Sequence, residues 1–184
     1  MEFKKIQLNG FKSFAEKTNF LIEDGLTGIV GPNGCGKSNI VESLRWVMGE
    51  TSAKSMRGSG MEDVIFSGTS NKASKNIAEV SIDVDNKNNE GPVQYRDQDH
   101  INVRRKIEKD KGSKFYINDK EVRARDAQMF FADLSTGAHS PSMISQGRIG
   151  SLVTAKPTDR RAILEEAAGI SGLHVRRHEA ELRL

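Results

Sequence analysis

Apolar and polar residues alternate in short stretches along the chain, and the spacing lengthens to a helical period after one glycine-rich segment. Phe3, Ile6 and Leu8 alternate roughly, Phe11 to Phe14 reads as a turn, and Thr18 to Ile22 resumes extended structure. Gly25-Leu26-Thr27-Gly28-Ile29-Val30 is a short apolar run, the pattern of a buried strand feeding a loop. After Ser38, the residues Ile40, Val41, Leu44, Val47 and Met48 recur at helical spacing, so the predicted order is strand, glycine loop, helix.

Thr51 to Gly60 is polar and glycine-punctuated, a predicted loop. In Ala78 to Asp85, Val80, Ile82 and Val84 alternate with Glu79, Ser81 and Asp83, which predicts a half-exposed strand. Asn86 to Pro92 has turn chemistry. Ile101, Val103 and Ile107 alternate imperfectly with Arg104, Arg105 and Lys106, and Phe115, Ile117 and Val122 flank a hairpin turn at Asn118-Asp119-Lys120. Arg123 to Asp133 is a predicted helix. Pro157 with Thr158 or Asp159 starts another and Gly169 stops it. A further helix starts near Ser171, where Leu173 and Ala180, like Val175 and Leu182, are seven apart. That is short of the ~3–4 heptads that establish a coiled coil. The chain therefore reads as stopping in mid-helix, as a piece of a longer protein would.

Composition changes this picture little. The 184 residues are 36% hydrophobic and 29% charged, enough for one domain with a core and much polar surface. The 28 basic and 25 acidic residues nearly cancel, so any nucleic-acid footprint has to be local. One cysteine excludes an internal disulfide framework and suits a reducing compartment. The N-terminus lacks a signal-peptide pattern and no apolar run approaches the ~20 residues of a membrane span, so the expected location is cytoplasmic, with no membrane partner. His100, His139, His174 and His178 show no metal-ligand spacing.

The strongest chemical signal is Gly31-Pro32-Asn33-Gly34-Cys35-Gly36-Lys37-Ser38, which fits the full phosphate-loop pattern between a predicted strand and a predicted helix. Glycines let backbone N–H groups converge on phosphate oxygens, and the helix adds the positive end of its dipole. Lys37 suits the β- and γ-phosphates as a point charge, and the Ser38 hydroxyl suits Mg²⁺. A glycine turn capping an ordinary helix would not need both the pattern and its context. Cys35 is expected to have a packing role. The carboxylate that usually orients Mg²⁺ at a strand end is not evident: Met129 to Asp133 resembles such a segment, but Leu134 follows it and Ala124 to Asp133 reads better as an amphipathic helix. Leu134-Ser135-Thr136-Gly137 echoes an ABC signature start, but His139 and Pro141 break the helix that should follow.

Five blocks occur in order: Phe11-Lys12-Ser13-Phe14, Gly31 to Asn39, Met61-Glu62-Asp63-Val64-Ile65-Phe66, Ile144-Ser145-Gln146-Gly147-Arg148, and Arg160-Arg161 through Ile163-Leu164-Glu165-Glu166-Ala167-Ala168-Gly169. Together they closely resemble the N-terminal head segment of bacterial structural-maintenance-of-chromosomes (SMC) proteins. The resemblance implies an α/β, P-loop NTPase fold: the N-terminal lobe of an ABC-type ATPase head, a mixed sheet with flanking helices. The lobe would occupy residues 1–156, with 157–184 leading into a coiled-coil arm. It also implies that the Mg²⁺-orienting acid and the signature motif come from a distant C-terminal head segment of the same protein. Two heads would sandwich ATP, dimerise, and act on DNA with accessory kleisin-type subunits in the nucleoid. The C-terminal segment would complete the sheet, so an exposed apolar face is expected here.

By the same resemblance Lys37 and Gln146 are catalytic, with Ser38 and Gln146 on Mg²⁺, and Gln146 positioning the attacking water. Lys12, Ser13, Pro32, Asn33, Gly34, Cys35, Gly36, Lys37, Ser38 and Asn39 bind the nucleotide, and Arg57 senses DNA. From the residues alone, Gln146 is a polar loop residue, Lys12 an exposed lysine, Ser13 a turn serine and Arg57 a solvated arginine. Arg104-Arg105-Lys106 reads as the wet face of an edge strand rather than a DNA contact. Arg176-Arg177-His178 reads as the solvated face of the arm. The competing readings are the head of a related coiled-coil DNA-repair ATPase, a small P-loop kinase, for which nothing after Gly137 supplies an arginine-rich lid, and a non-catalytic module in which ATP serves only to join two copies.

Overall fold

A computed structural model describes residues 1–89, 91–134, 143, 150 and 153–168. Strands β1 (Glu2–Asn9), β2 (Thr18–Leu21), β3 (Ile77–Asp85), β4 (His100–Glu108), β5 (Gly112–Ile117) and β6 (Lys120–Val122) form one sheet in the order β2-β1-β3-β4-β5-β6. All five pairings are antiparallel. Helix α1 (Lys37–Val47) packs against β3 and β4, and α2 (Ala124–Asp133) against β5. Helix α3 (Pro157–Ala167) follows in sequence. No helix among the described residues is long and apolar enough to cross a membrane.

The period-two pattern explains the two faces of the sheet. Register puts Ile6 opposite Ile82 and Ile82 opposite Val103, so these side chains share one face, and all are buried with Leu8, Val80 and Ile117. Trp46 and Val47 of α1 and Phe130 and Phe131 of α2 close that core from above. On the opposite face the charges answer one another. Lys5 pairs with Asp83 at 2.6 Å, and Arg104 lies 3.0 Å from Asp119 and stacks 4.7 Å above the Tyr116 ring. A face compensated in this way is poorly suited to collecting phosphates. The β5–β6 hairpin turns through Asn118 and Asp119, both at positive φ (47° and 64°), as a two-residue turn of this hand requires.

Two expectations are corrected here. Arg104, Arg105 and Lys106 do not lie on an edge strand, because β4 is interior, between β3 and β5. Arg104 and Lys106 do face outward, but Arg105 takes the inward register position between Val103 and Ile107 and is buried. Second, Gly25 to Val30 is not a buried strand. It is irregular, with Leu26 100% and Val30 94% exposed, and it pairs with no strand among the described residues. An apolar run becomes a strand only when another strand satisfies its backbone, and none is placed beside it. The predicted exposed apolar surface is thus present at Leu26, Ile29 and Val30. By contrast, Ala124–Asp133 is a helix, which removes Met129 to Asp133 as a candidate metal-binding strand.

Candidate functional site

The site is the loop that opens α1. Gly34 and Gly36 have φ of 83° and 96°, in the left-handed region that glycine tolerates. Gly36 is doubly constrained, because a Cβ there would fall 2.5 Å from the Ser13 hydroxyl. Gly36 is also the residue preceding α1, and no side chain caps the helix or places an acid in its first turn. The first amides of α1 and the positive end of its dipole are therefore left to the loop. The Lys37 ammonium donates to the carbonyls of Gly31 and Pro32, the latter at 2.7 Å, so the loop winds around its own cation. Ser38 is exposed at the helix start.

These features fit a nucleoside triphosphate with a divalent cation. The loop would hold phosphate oxygens by its amides and Lys37, and Ser38 offers one oxygen to the metal. Among the described residues no three His, Cys, Asp or Glu side chains gather into a metal cage. A cation here would accordingly draw most of its ligands from phosphate and water, as Mg²⁺ commonly does. Cys35 departs from its expected packing role: it is exposed, with its sulfur 3.8 Å from the Lys37 ammonium and beneath Gly31. The loop's tight winding turns that side chain outward instead of into the core. Gln146, the remaining catalytic candidate, lies outside the described residues.

The other candidates converge beside the loop. The Phe11–Phe14 turn is closed by reciprocal backbone bonds, and Lys12 sits at its crest with φ 47°. Asn39, in the first turn of α1, donates from its amide to Ser13 Oγ at 2.9 Å and accepts from Arg57 Nη2 at 3.0 Å. Arg57 follows the 3-10 turn Lys54–Met56 with φ 54°. The carboxylate joining them, Glu42, was not anticipated: it is buried, pairing through one oxygen with Lys12 and through the other with Arg57. An acidic residue amid the apolar positions of α1 was the only hint, and it carried no indication of its partners.

The loop after Arg57 is fixed by Asp63, which accepts from Ser59 N at 2.7 Å, Ser59 Oγ at 2.9 Å and Gly60 N at 2.9 Å. The Gly60 amide first, and then Ser59, hold the Asp63 carboxyl below its ordinary value. Since the folded value is the lower one, this restraint is complete above the usual aspartate range and is lost as pH falls through the depressed value. Amide hydrogen exchange should show Ser59 and Gly60 protected near neutrality and released at acid pH. In Asp63→Ala, which removes the accepting oxygens, the same amides should be unprotected at both, which checks the assignment.

Residues 2–148 match the family model described as the RecF/RecN/SMC N terminal domain. This chain belongs to that family. It is 58% identical over its whole length to the chromosome partition protein Smc of Cereibacter sphaeroides and 55% to that of Rhodopseudomonas palustris. In each case it spans only 16% of the relative's own length. Among solved structures, it resembles one from work on ATP-driven dimerization and DNA stimulated activation of SMC ATPases, at TM-score 0.80 and 30% identity, over 91% of this chain and 99% of that one. It also resembles the Pyrococcus furiosus Smc head domain with an extended coiled coil bound to the C-terminal domain of ScpA, at TM-score 0.84 and 30% identity, over 98% of this chain and 45% of that one. The fold is thus the N-terminal lobe of an SMC head, α/β and of P-loop NTPase type.

Proposed function

We propose that this chain is the nucleotide-binding part of a split ATPase head, in a protein that partitions chromosomes by ATP-dependent head dimerisation on DNA. The observation that carries the proposal is the phosphate loop opening an uncapped α1 beside an exposed, unpaired apolar segment at Leu26 to Val30. The loop offers a triphosphate site. The segment offers an edge for a second piece of the same head, which would bring the metal-orienting acid and signature motif that are not evident in this chain.

In this reading Lys12, Ser13, residues Pro32 to Asn39 and Mg²⁺ on Ser38 hold ATP, and Gln146 orients the attacking water. Gln146 suits orientation over deprotonation, since its amide both donates and accepts. Residues 1–156 form the lobe and 157–184 lead into the arm. Arg57, exposed on the outer side of its ion pair, meets DNA phosphate. The solved relatives from work on ATP-driven dimerization and in complex with ScpA support a second head and a kleisin-type subunit as partners, and the chromosome partition relatives support a cytoplasmic, nucleoid-associated location. The kinase reading loses its best metal acid with Met129 to Asp133 in a helix.

The test is a titration of this chain with a fluorescent ATP analogue and Mg²⁺, beside steady-state phosphate release. Saturable binding without turnover above background is expected, and bound nucleotide should protect the exposed Cys35 thiol from maleimide. Turnover that persists on dilution would overturn the split-site reading, and loss of saturable binding would overturn the nucleotide assignment.

A further inference from the structure

Glu42 lies one turn beyond Lys37 on α1 and is nearly inaccessible, with its side chain 10% exposed. A carboxylate so placed must be compensated, and both its oxygens are engaged: Oε2 by the Lys12 ammonium and Oε1 by Arg57 Nε. Each partner also has a second tie to the same neighbourhood. Lys12 donates to the carbonyl of Met56, the residue before Arg57, and Arg57 donates to Asn39, which holds Ser13. The result is a closed ring through three segments distant in sequence, meeting at the first turns of α1.

Two further observations point to a device rather than to packing. Lys12 and Arg57 both adopt the left-handed backbone region, where side-chain-bearing residues are strained, and both are ligands of this one carboxylate. The ring is also asymmetric in exposure. Lys12 is 13% exposed and Arg57 60%, so Arg57 is the arm of the ring that an anion arriving from the surface meets first. A phosphate drawing the guanidinium outward would break its bonds to Glu42 and Asn39 together. Glu42 would be left to Lys12 alone, and Asn39, next to Ser38, would lose its restraint.

We infer that Glu42 is a positioning residue that couples the Arg57 loop to the nucleotide helix: it holds Arg57 against Asn39 until an anion at the surface competes for the guanidinium. The coupling is reciprocal, so nucleotide at the loop alters anion binding at Arg57 by the same factor. The inference rests on the proposed reading for its ligands, ATP at the loop and DNA phosphate at Arg57, but not for the ring itself.

The experiment uses the full-length protein as wild type, Arg57→Ala, Glu42→Gln and the double variant. ATP-analogue affinity and the ratio of ATP turnover with and without linear duplex DNA are read for each, with thermal melting as a fold control. Expected is that each single variant shifts nucleotide affinity by about fivefold and lowers the DNA ratio to about one, with the double variant no worse than the stronger single. If Arg57→Ala loses the DNA response and Glu42→Gln retains it, the Glu42 inference falls while the Arg57 reading stands. If Arg57→Ala retains it, the Arg57 reading falls, and the affinities decide Glu42: a non-additive double variant upholds the coupling and an additive one overturns it. Should Glu42→Gln melt far below wild type, Glu42→Asp, which keeps the buried charge but shortens its reach to Arg57, is read in its place by the same criteria.

Discussion

Lys37→Ala should weaken ATP binding by about a hundredfold while leaving the melting temperature of the chain nearly unchanged. A hydrogen bond to a charged group contributes about 1.5–3 kcal/mol, and a lysine serving two phosphates supplies the upper end or more. About 3 kcal/mol corresponds to roughly two orders of magnitude in Kd. In the chain as it stands, Lys37 donates to the carbonyls of Gly31 and Pro32, which belong to an exposed loop. Those carbonyls turn to water when the ammonium is removed, so stability has little to lose. The pairing of a large binding loss with an unchanged melt separates a phosphate ligand from a structural lysine. A titration and a melting curve on the same preparation check it. Equal affinity in the variant would mean that the ammonium is held by the loop for the loop's sake, and the site would need another cation.

Much of the fold was legible because alternation and turn chemistry are local. The inward residues Val80, Ile82 and Val84, the Asn118-Asp119 turn and the 124–133 helix all follow from neighbours a few positions away. The phosphate loop was legible for the same reason. What escaped depends on partners far along the chain. Gly25 to Val30 reads as a strand by composition, yet a strand needs a neighbouring ladder, and the described residues place none beside it. Glu42 carries no local sign of burial, because Lys12 and Arg57, which close around it, lie in two other segments. Arg105 breaks the apolar alternation of β4, and a charge at an inward position is by default assigned to solvent.

Arg105 accounts for the other large expected effect: Arg105→Leu should destabilise the chain by about 3 kcal/mol, or about 6–12 °C in melting temperature for a domain of this size. Its guanidinium lies between the rings of Trp46 and Phe115, 4.5 and 4.6 Å from their centroids. From there Nη1 donates to the carbonyls of Trp46 and Glu50, both at 2.7 Å, and Nε to Ser113 Oγ, also at 2.7 Å. The Trp46 carbonyl is in the last turn of α1 and the Glu50 carbonyl lies just past its end, so the residue ties down from the sheet the same helix whose other end carries the phosphate loop. Burial lowers the guanidinium pKa to about 10, which still leaves it charged at neutral pH and in need of every partner it has. Leucine would fill part of the space and relieve the desolvation of a cation. It would also take the guanidinium donor from both carbonyls, of which Trp46 keeps only the 3.1 Å bond from the Gly49 amide, at about 1–3 kcal/mol in all, and remove the Ser113 bond and both ring contacts. The second terms exceed the first, which sets the sign. Arg105→Lys should fall between, because an ammonium keeps the charge but lacks the planar fork that reaches both carbonyls and stacks between two rings. Urea denaturation of the three proteins should therefore rank wild type, lysine and leucine in falling stability. A leucine variant as stable as wild type would mean that the end of α1 is held by other contacts, such as the 2.7 Å bond from Gln128 to the Gly49 carbonyl, and that the buried cation is dispensable.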